Sequence, residues 1–369
     1  MKTYLADEIF KLIGYGLESS LNKPDNEAFK APLQTFSPSQ DAVRYISEQQ
    51  LDGFFYAKAD ELPILSGSRE QMAKRSMYSH IMQATLRAIT DEAEKKGIPF
   101  AVLKGEVLQA CYPTGCIRPS GDIDVYVPQA YRVEFCRMLE AINASTPLND
   151  DRKQTGVDDY YFKNGVHLEV HYLFAVQFSE ECRKNLKESG IFDAENFIKV
   201  NSGCGLIPSL RPEHHLFYLI YHLVKHLMFA EAGVFRMFAD IAMFVNRYGS
   251  EIETSVLWKL LKENGLSEIA NTIFYICREK LGMSSEFIEI SEDDVHYEKL
   301  ISMIPENHGL PQMLKERVLW TAYKCRIKTD SDGTCESYIR EDHLIMVLFF
   351  PIILKHCSLK RFWKINSVL

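Results

Sequence analysis

The chain has 369 residues, an ordinary 46% of hydrophobic residues and a formal net charge of −8. That charge excludes a general basic surface of the kind that grips long duplex nucleic acid, although a local basic groove is compatible with it. The nine cysteines are odd in number and include no Cys-x-x-Cys pair, which indicates reduced thiols rather than a disulfide scaffold or a structural zinc site. Asp7 and Glu8 interrupt the first segment, so it does not resemble an export signal, and a cytoplasmic protein is expected.

The first part of the chain predicts helices. Apolar residues recur at helical spacing over residues 7–17 and 40–51, and residues 69–96 form a long stretch without glycine or proline. The sequence Gly-Ile-Pro at 97–99 ends that stretch. We therefore predict an N-terminal helical region over residues 1–94.

Residues 95–210 change to the periodicity of a sheet, with alternating or short apolar runs between turn residues. The strand candidates are residues 100–103, 123–127, 159–163, 166–172, 197–200 and 205–207. Helix candidates at 106–111 and 130–144 separate the first of them, and Asn164-Gly165 is a two-residue hairpin signal. The order strand, helix, strand, helix, hairpin predicts an α+β fold, a small mixed β-sheet core with helices packed on it.

Helices return after this core, with Pro212 suited to a first helical turn. We predict a C-terminal helical domain over residues 211–369. Its apolar run at 344–354 has 11 residues and contains Pro351. A membrane span needs about 20 apolar residues, so this run predicts a kinked core helix and no membrane span.

Two aspartates stand two positions apart in the otherwise apolar run of residues 121–127. On a strand, this spacing points Asp122 and Asp124 to one face while Ile123 and Val125 point to the other. Two anions so close repel each other unless a cation lies between them. The same pattern also suits a solvated turn before a strand, so a divalent-metal site here depends on a third carboxylate.

Glu169, in the second strand of the predicted hairpin, is a candidate for that carboxylate. Its sequence neighbours are apolar, and it shares a strand face with His167 and His171. An acid in mid-strand indicates an edge strand or a site. If this strand lies beside residues 123–127, the three carboxylates form a cluster able to hold two Mg²⁺ ions, because hard cations select oxygen ligands.

Several short motifs follow one another in a fixed order over residues 80–245. They are Lys104-Gly105, Arg118-x-Ser120-Gly-Asp122-x-Asp124, Glu169-x-His171, His222-x-x-Lys225-His226, and Arg236 with Asp240. This order resembles the polymerase-β-like nucleotidyltransferase superfamily and, within it, a bacterial group of nucleotidyltransferases of largely unassigned substrate. The wider superfamily opens the helix after its first strand with a Gly-Ser pair, whereas Gly105 is here followed by Glu106.

The resemblance implies that Asp122, Asp124 and Glu169 hold two Mg²⁺ or Mn²⁺ ions and that an NTP binds across them. One ion would carry the triphosphate, and the other would lower the pKa of an attacking hydroxyl whose proton Glu169 accepts. The expected nucleotide or phosphate contacts are Lys104, Gly105, Arg118, Ser120, His171, His222, Lys225 and His226. A surface salt bridge for Arg118 and a structural hydrogen bond for His171 stay open as alternatives.

The helix that begins near Pro212 carries His215, His222 and His226 on one stripe. A zinc-protease motif would need glutamate where this chain has Leu223, so we interpret the stripe as polar and facing the cleft. Histidines that cap buried polar groups are the alternative. On the next helix, Arg236 and Asp240 are four residues apart and predict an ion pair, either structural or in contact with substrate.

The leading hypothesis is a Mg²⁺-dependent nucleotidyltransferase that moves an NMP from an NTP to a hydroxyl or phosphate acceptor and releases pyrophosphate. The acceptor would be a small molecule, a protein side chain or an RNA end, and no long duplex. One alternative is a catalytically idle member of the fold that binds a nucleotide or a partner, motivated by Glu106. A second is a metal-dependent phosphohydrolase that uses the histidine helix and a transition metal.

Overall fold

A computed structural model describes residues 1–17, 37–61, 63–145, 156–173, 180–229 and 231–305. The apolar run predicted as a kinked helix at 344–354 lies outside these residues. Within the described ranges, none of the helices combines the length and the hydropathy that a membrane span requires. The cysteines with free thiols there are Cys111, Cys116, Cys136, Cys204 and Cys277.

A seven-stranded mixed sheet, in the order β3-β4-β5-β2-β1-β7-β6, forms the centre of the fold. Its strands are β1 (Ala101–Val102), β2 (Asp122–Tyr126), β3 (Ala144–Ser145), β4 (Val157–Phe162), β5 (His167–His171), β6 (Phe197–Ser202) and β7 (Gly205–Leu210). The predicted α+β fold with a mixed sheet is therefore confirmed. The hairpin of β6 and β7, the weaker of the two in the sequence, joins the sheet through the parallel pair of β1 and β7.

The pairing of β2 with β5 positions the carboxylates. The two strands are parallel neighbours, with Asp124 opposite Glu169 and Asp122 opposite His167. Because side chains alternate along a strand, these four residues all point to one face of the sheet. The sequence argument for a metal site depended on this adjacency.

The turn between β4 and β5 differs from the two-residue hairpin that we predicted. Gly165 has a φ of 86° and donates its N–H to the Phe162 carbonyl, while Phe162 pairs with Val166 across the turn. A two-residue type I′ turn would need positive φ at both central residues, and Asn164 does not have it. The turn instead has three loop residues, and Asn164 hydrogen-bonds Thr85 through its side chain.

Helices surround the sheet. They are α1 (Thr3–Leu17), α2 (Gln40–Glu48), α3 (Arg69–Lys96), α4 (Glu106–Gln109), α5 (Arg132–Ala141), α6 (Glu180–Glu188), α7 (Pro212–Phe229), α8 (Val234–Tyr248), α9 (Thr254–Glu263), α10 (Ser267–Leu281) and α11 (Tyr297–Ile301). Three predicted helices are shorter than expected. The helix predicted at 40–51 ends at Glu48 and is followed by a 3₁₀ segment, Leu51–Lys58. The helix predicted at 106–111 ends at Gln109, and the one predicted at 130–144 ends before Asn143, whose positive φ leads into β3.

The N-terminal helices pack on the C-terminal ones. The ring of Phe10 lies 4.6 Å from that of Phe235 and 5.3 Å from that of Phe238, and the Met1 ammonium donates to the Ile304 carbonyl at 2.7 Å. By contrast, α3 contacts β2 and β7 and covers the sheet. Thus α1 and α3, both in the first predicted region, contact different parts of the fold. The division at residues 94 and 210 stays a prediction.

Candidate active site

Three carboxylates and two imidazoles converge on one face of β2 and β5. One potential ligand atom from each of Asp122, His167 and Glu169 lies within 4.8 Å of the others, and the same holds for Asp124, Glu169 and His171. Glu169 belongs to both groups. Asp122, Asp124 and Glu169 are therefore brought together as the sequence predicted.

Asp124 is the most buried of these side chains, with only 1% of it exposed. Its Oδ1 lies 3.0 Å from the Lys104 Nζ and 3.2 Å from the His171 Nε2. Burial alone would raise the pKa of Asp124, but Lys104 and His171 outweigh it and hold that pKa below its usual range. Asp124 is ionised at neutral pH.

The other two carboxyl groups respond to the same charges. The nearby Asp124 carboxylate, and burial after it, raise the pKa of Asp122 above its usual value. Burial also acts upward on the pKa of Glu169, but the hydrogen bond with His171 lowers it overall. Of the three carboxylates, ionised Asp122 is therefore the one that a bound cation would stabilise most.

Lys104 lies between the carboxylates and α7. Its side chain is 16% exposed, and its Nζ is 3.4 Å from the His222 Nε2 as well as close to Asp124. Burial would lower the pKa of Lys104, but the field of Asp124 and its neighbours raises it, so the ammonium stays charged. Burial and this ammonium hold the pKa of His222 well below its usual value, so His222 is neutral.

The residues present fit a divalent cation. The Asp124 Oδ2 is buried and has no hydrogen-bond partner among the described residues, an uncompensated anionic oxygen that would cost stability in a site without a ligand. Carboxylate oxygens are the donors that Mg²⁺ and Mn²⁺ accept. Asp122, Asp124 and Glu169 would hold such ions.

Gly105 and Ser120 shape the backbone at the end of β1 and before β2. Gly105 has a φ of 63°, a conformation that favours glycine, and the Ser120 hydroxyl donates to the Asp122 carbonyl at 3.0 Å. The Ser120 side chain is thus engaged with the backbone of β2. It positions the strand that carries the aspartates.

Glu106 is turned away from the carboxylate face. Its carboxylate accepts a hydrogen bond of 2.9 Å from the Gln83 side chain of α3, and burial raises its pKa. A negative charge next to a triphosphate would be unfavourable, but this side chain is directed to α3. The departure from the superfamily pattern at this position therefore places the Glu106 carboxylate against α3.

Arg118 forms a buried ion pair with Asp240, and the two side chains are each 3% exposed. The guanidinium donates to both carboxylate oxygens, at 2.6 and 2.8 Å, and the Tyr112 hydroxyl donates to Oδ1 at 2.7 Å. The predicted pair of Arg236 with Asp240 was wrong, because Asp240 reaches across to Arg118. Arg236 instead donates to the Pro119 carbonyl at 3.0 Å.

The histidines of α7 have different surroundings. His226 lies 2.9 Å from the Ala232 carbonyl and 3.1 Å from the Glu231 carboxylate, and its ring centroid is 4.5 Å from that of His222. Lys225 is half-buried on the same helix, and burial together with this charge lowers the pKa of His226. In the part of the chain that the structure describes, neither possible metal group includes His222 or His226.

His215 is fully buried and has a structural role. Its Nε2 lies 2.8 Å from the Leu103 carbonyl and its Nδ1 3.0 Å from the Ser209 hydroxyl. Since a carbonyl only accepts, Nε2 carries the proton and Nδ1 accepts from Ser209. His215 thereby ties α7 to the ends of β1 and β7.

We expect His215 to make the protein less stable in mild acid. Burial lowers its pKa to about 4, so between pH 6.5 and 4 the unfolded chain binds a proton that the folded chain does not. From pH 7 to pH 5 this should cost about 2 kcal/mol of unfolding free energy. Urea unfolding of wild type and His215→Gln at both pH values measures the difference, and equal pH dependences in the two proteins would contradict the assignment.

The sequence analysis did not identify three residues that lie at or near the site. The Tyr78 hydroxyl lies 3.2 Å from the Gly121 carbonyl, Tyr112 holds Asp240, and Asp159 bonds His167 at 2.7 Å. Period-two spacing in β4 would have placed Asp159 on the carboxylate face. Tyr78 and Tyr112 meet their partners only through tertiary contacts.

The site is thus formed by two aspartates and a glutamate from neighbouring parallel strands of a mixed sheet. Residues 39–282 match the family model described as "Uncharacterised nucleotidyltransferase", and the chain belongs to that family. No curated protein matches the chain. Among solved structures, it is similar to an antigenic nucleotidyltransferase-like protein from Paracoccidioides brasiliensis, with 12% identity, coverage of 56% of this chain and 95% of that one, and a TM-score of 0.35.

Proposed function

We propose that this protein transfers an NMP from an NTP to a hydroxyl or phosphate acceptor and releases pyrophosphate. The observation that carries the proposal is the convergence of Asp122, Asp124 and Glu169, with a buried oxygen on Asp124 that no described residue hydrogen-bonds. Divalent cations bound there would neutralise the triphosphate and acidify the attacking hydroxyl. The membership of a nucleotidyltransferase family supports the same reaction.

The charges of the site suit one divalent ion in the free protein and a second ion that arrives with the nucleotide. The three carboxylates carry three negative charges and Lys104 supplies one positive charge at 3.0 Å from Asp124. The net charge of these four groups matches one divalent ion before any nucleotide binds. A second ion would therefore enter most favourably with the anionic triphosphate.

Each of the remaining residues has a proposed role that its contacts support. Glu169 is ionised and would accept the proton of the attacking hydroxyl. Lys104 and His171 contact Asp124, and His222 lies beside Lys104. With Gly105, Lys225 and His226, they are the proposed nucleotide contacts. Arg118 and Ser120 are engaged with Asp240 and with the backbone of β2, so we assign them to positioning the aspartates.

An assay with each labelled NTP, Mg²⁺ or Mn²⁺ and a panel of small-molecule, protein and RNA acceptors tests the proposal. The expected products are pyrophosphate and a labelled acceptor, both lost in a Glu169→Gln protein purified in the same way. Release of inorganic phosphate instead would favour the phosphohydrolase alternative. Nucleotide binding without pyrophosphate release across the whole panel would favour the idle alternative.

A further inference from the structure

Imidazoles accompany the carboxylates in both of the possible metal groups. Along β5, His167, Glu169 and His171 point to the same face and present nitrogen, oxygen and nitrogen in turn. Each group combines two carboxylates with one imidazole, and Glu169 is common to both. The donor set is therefore mixed rather than made of oxygen alone.

His171 has the spacing of a ligand. Its Nε2 lies 3.2 Å from the Asp124 Oδ1 and 3.6 Å from the Glu169 Oε2. Two ligand atoms that each lie about 2.1 Å from an octahedral ion, at right angles, are about 3 Å apart. The Asp124 Oδ2 in the same group has no hydrogen-bond partner in the described part of the chain, which independently indicates that a ligand belongs there.

His167 is held by a carboxylate on its other side. Its Nε2 bonds the Asp159 Oδ1 at 2.7 Å, and its ring stacks on Tyr161 with centroids 4.6 Å apart and planes 13° apart. Metal-binding histidines commonly engage a carboxylate or carbonyl through their second nitrogen, which fixes the ring and its tautomer. One ring nitrogen of His167 also lies within 4.8 Å of the ligand atoms of Asp122 and Glu169.

We propose that the site is a mixed carboxylate and imidazole centre, with one nitrogen each from His167 and His171 and a shared Glu169, and that it binds Mn²⁺ in preference to Mg²⁺. Both ions accept carboxylate oxygens, but Mg²⁺ binds nitrogen ligands poorly, whereas a first-row transition ion gains from them. The inference rests on the proposed function only for the position of the ions.

Binding of Mn²⁺ to the metal-free full chain, without nucleotide, tests this inference. Electron paramagnetic resonance follows the loss of the free-ion signal, and electron spin echo modulation detects ¹⁴N nuclei coupled to the bound ion. We expect ¹⁴N coupling in wild type and at least about tenfold weaker competition by Mg²⁺. His171→Gln and His167→Gln should each weaken Mn²⁺ binding on the order of 10-fold to 100-fold and leave Mg²⁺ affinity nearly unchanged.

A matched control is His296→Gln, because His296 pairs with Glu268 outside both metal groups and should leave Mn²⁺ binding unaltered. Bound Mn²⁺ without ¹⁴N coupling in wild type, or equal affinities for the two ions, would overturn the inference whether or not any variant folds. Because nucleotide is absent, the two proposals can fail separately. Nitrogen-coupled Mn²⁺ with no NMP transfer would refute only the proposed function.

Discussion

Replacing Asp124 by asparagine should reduce the rate of pyrophosphate release at least about 10³-fold, which corresponds to about 4 kcal/mol of lost transition-state stabilisation. The change removes the carboxylate that is shared between Lys104, His171 and the proposed cation. It also removes the charge that raises the pKa of Asp122. The metal-free protein should therefore keep its fold, because the repulsion between Asp122 and Asp124 disappears together with the attraction between Asp124 and Lys104.

The measurement combines initial rates at saturating NTP with thermal unfolding in the absence of metal. Asp158→Asn is the matched control, since Asp158 is the neighbour of Asp159 on β4, points to the opposite face and pairs with Arg132. It should retain activity within about twofold, because it lies outside the carboxylate cluster. If Asp124→Asn retained more than a tenth of the activity, the assignment of Asp124 as an essential cation ligand would be wrong.

The second large effect is on stability. Arg118→Met should lower the free energy of unfolding by about 3–5 kcal/mol, because it leaves the Asp240 carboxylate buried with the Tyr112 hydroxyl as its remaining close partner. Asp240→Leu should be similarly costly, since burial and Arg118 already lower the pKa of Arg236 and two guanidinium groups would face each other. The double variant should recover most of the loss, because no unpaired charge of this pair stays buried.

Urea denaturation of the two single variants and the double variant forms a thermodynamic cycle. Arg44→Met is the matched control, because Arg44 pairs with Asp41 at the surface and its loss should change stability by less than about 1 kcal/mol. A double variant that loses the sum of the two single effects would show that the pair is not coupled. The positioning of the aspartates could then not be attributed to the pairing of Arg118 with Asp240.

The Arg118 pair also bears on how the site is positioned. Arg118 and Arg236 both donate to the Pro119 carbonyl, at 3.4 and 3.0 Å. The segment before β2 is thus tied to α8 twice, by Arg236 directly and by Arg118 through Asp240. Loss of the pair is expected to disturb the aspartates even in molecules that stay folded.

Local sequence was sufficient for the strand that carries the aspartates. The alternation of Asp122, Ile123, Asp124 and Val125 predicts one polar and one apolar face, because that pattern depends only on backbone geometry. The helical stretch of α3 and the strand with Glu169 were predictable for the same reason. Together they indicated a mixed sheet with a carboxylate face.

Local sequence was insufficient where a residue had to choose among distant partners. An i, i+4 spacing favours Arg236 as the partner of Asp240, yet tertiary packing brings Arg118 closer and buries the pair completely. At the turn before β5, Asn164 lacks the positive φ that a two-residue type I′ turn needs, and the Asn-Gly dipeptide alone does not determine that angle.

By itself, the sequence determined which residue types stand on the carboxylate strand faces and the family to which their order belongs. Only the tertiary structure decided that β2 and β5 are parallel neighbours with Asp124 opposite Glu169, that Lys104 approaches them, and that two histidines join the cluster. The reason is physical. Side-chain alternation is set within a strand, whereas strand register and buried charge pairing are set by the packing of the whole sheet and its helices.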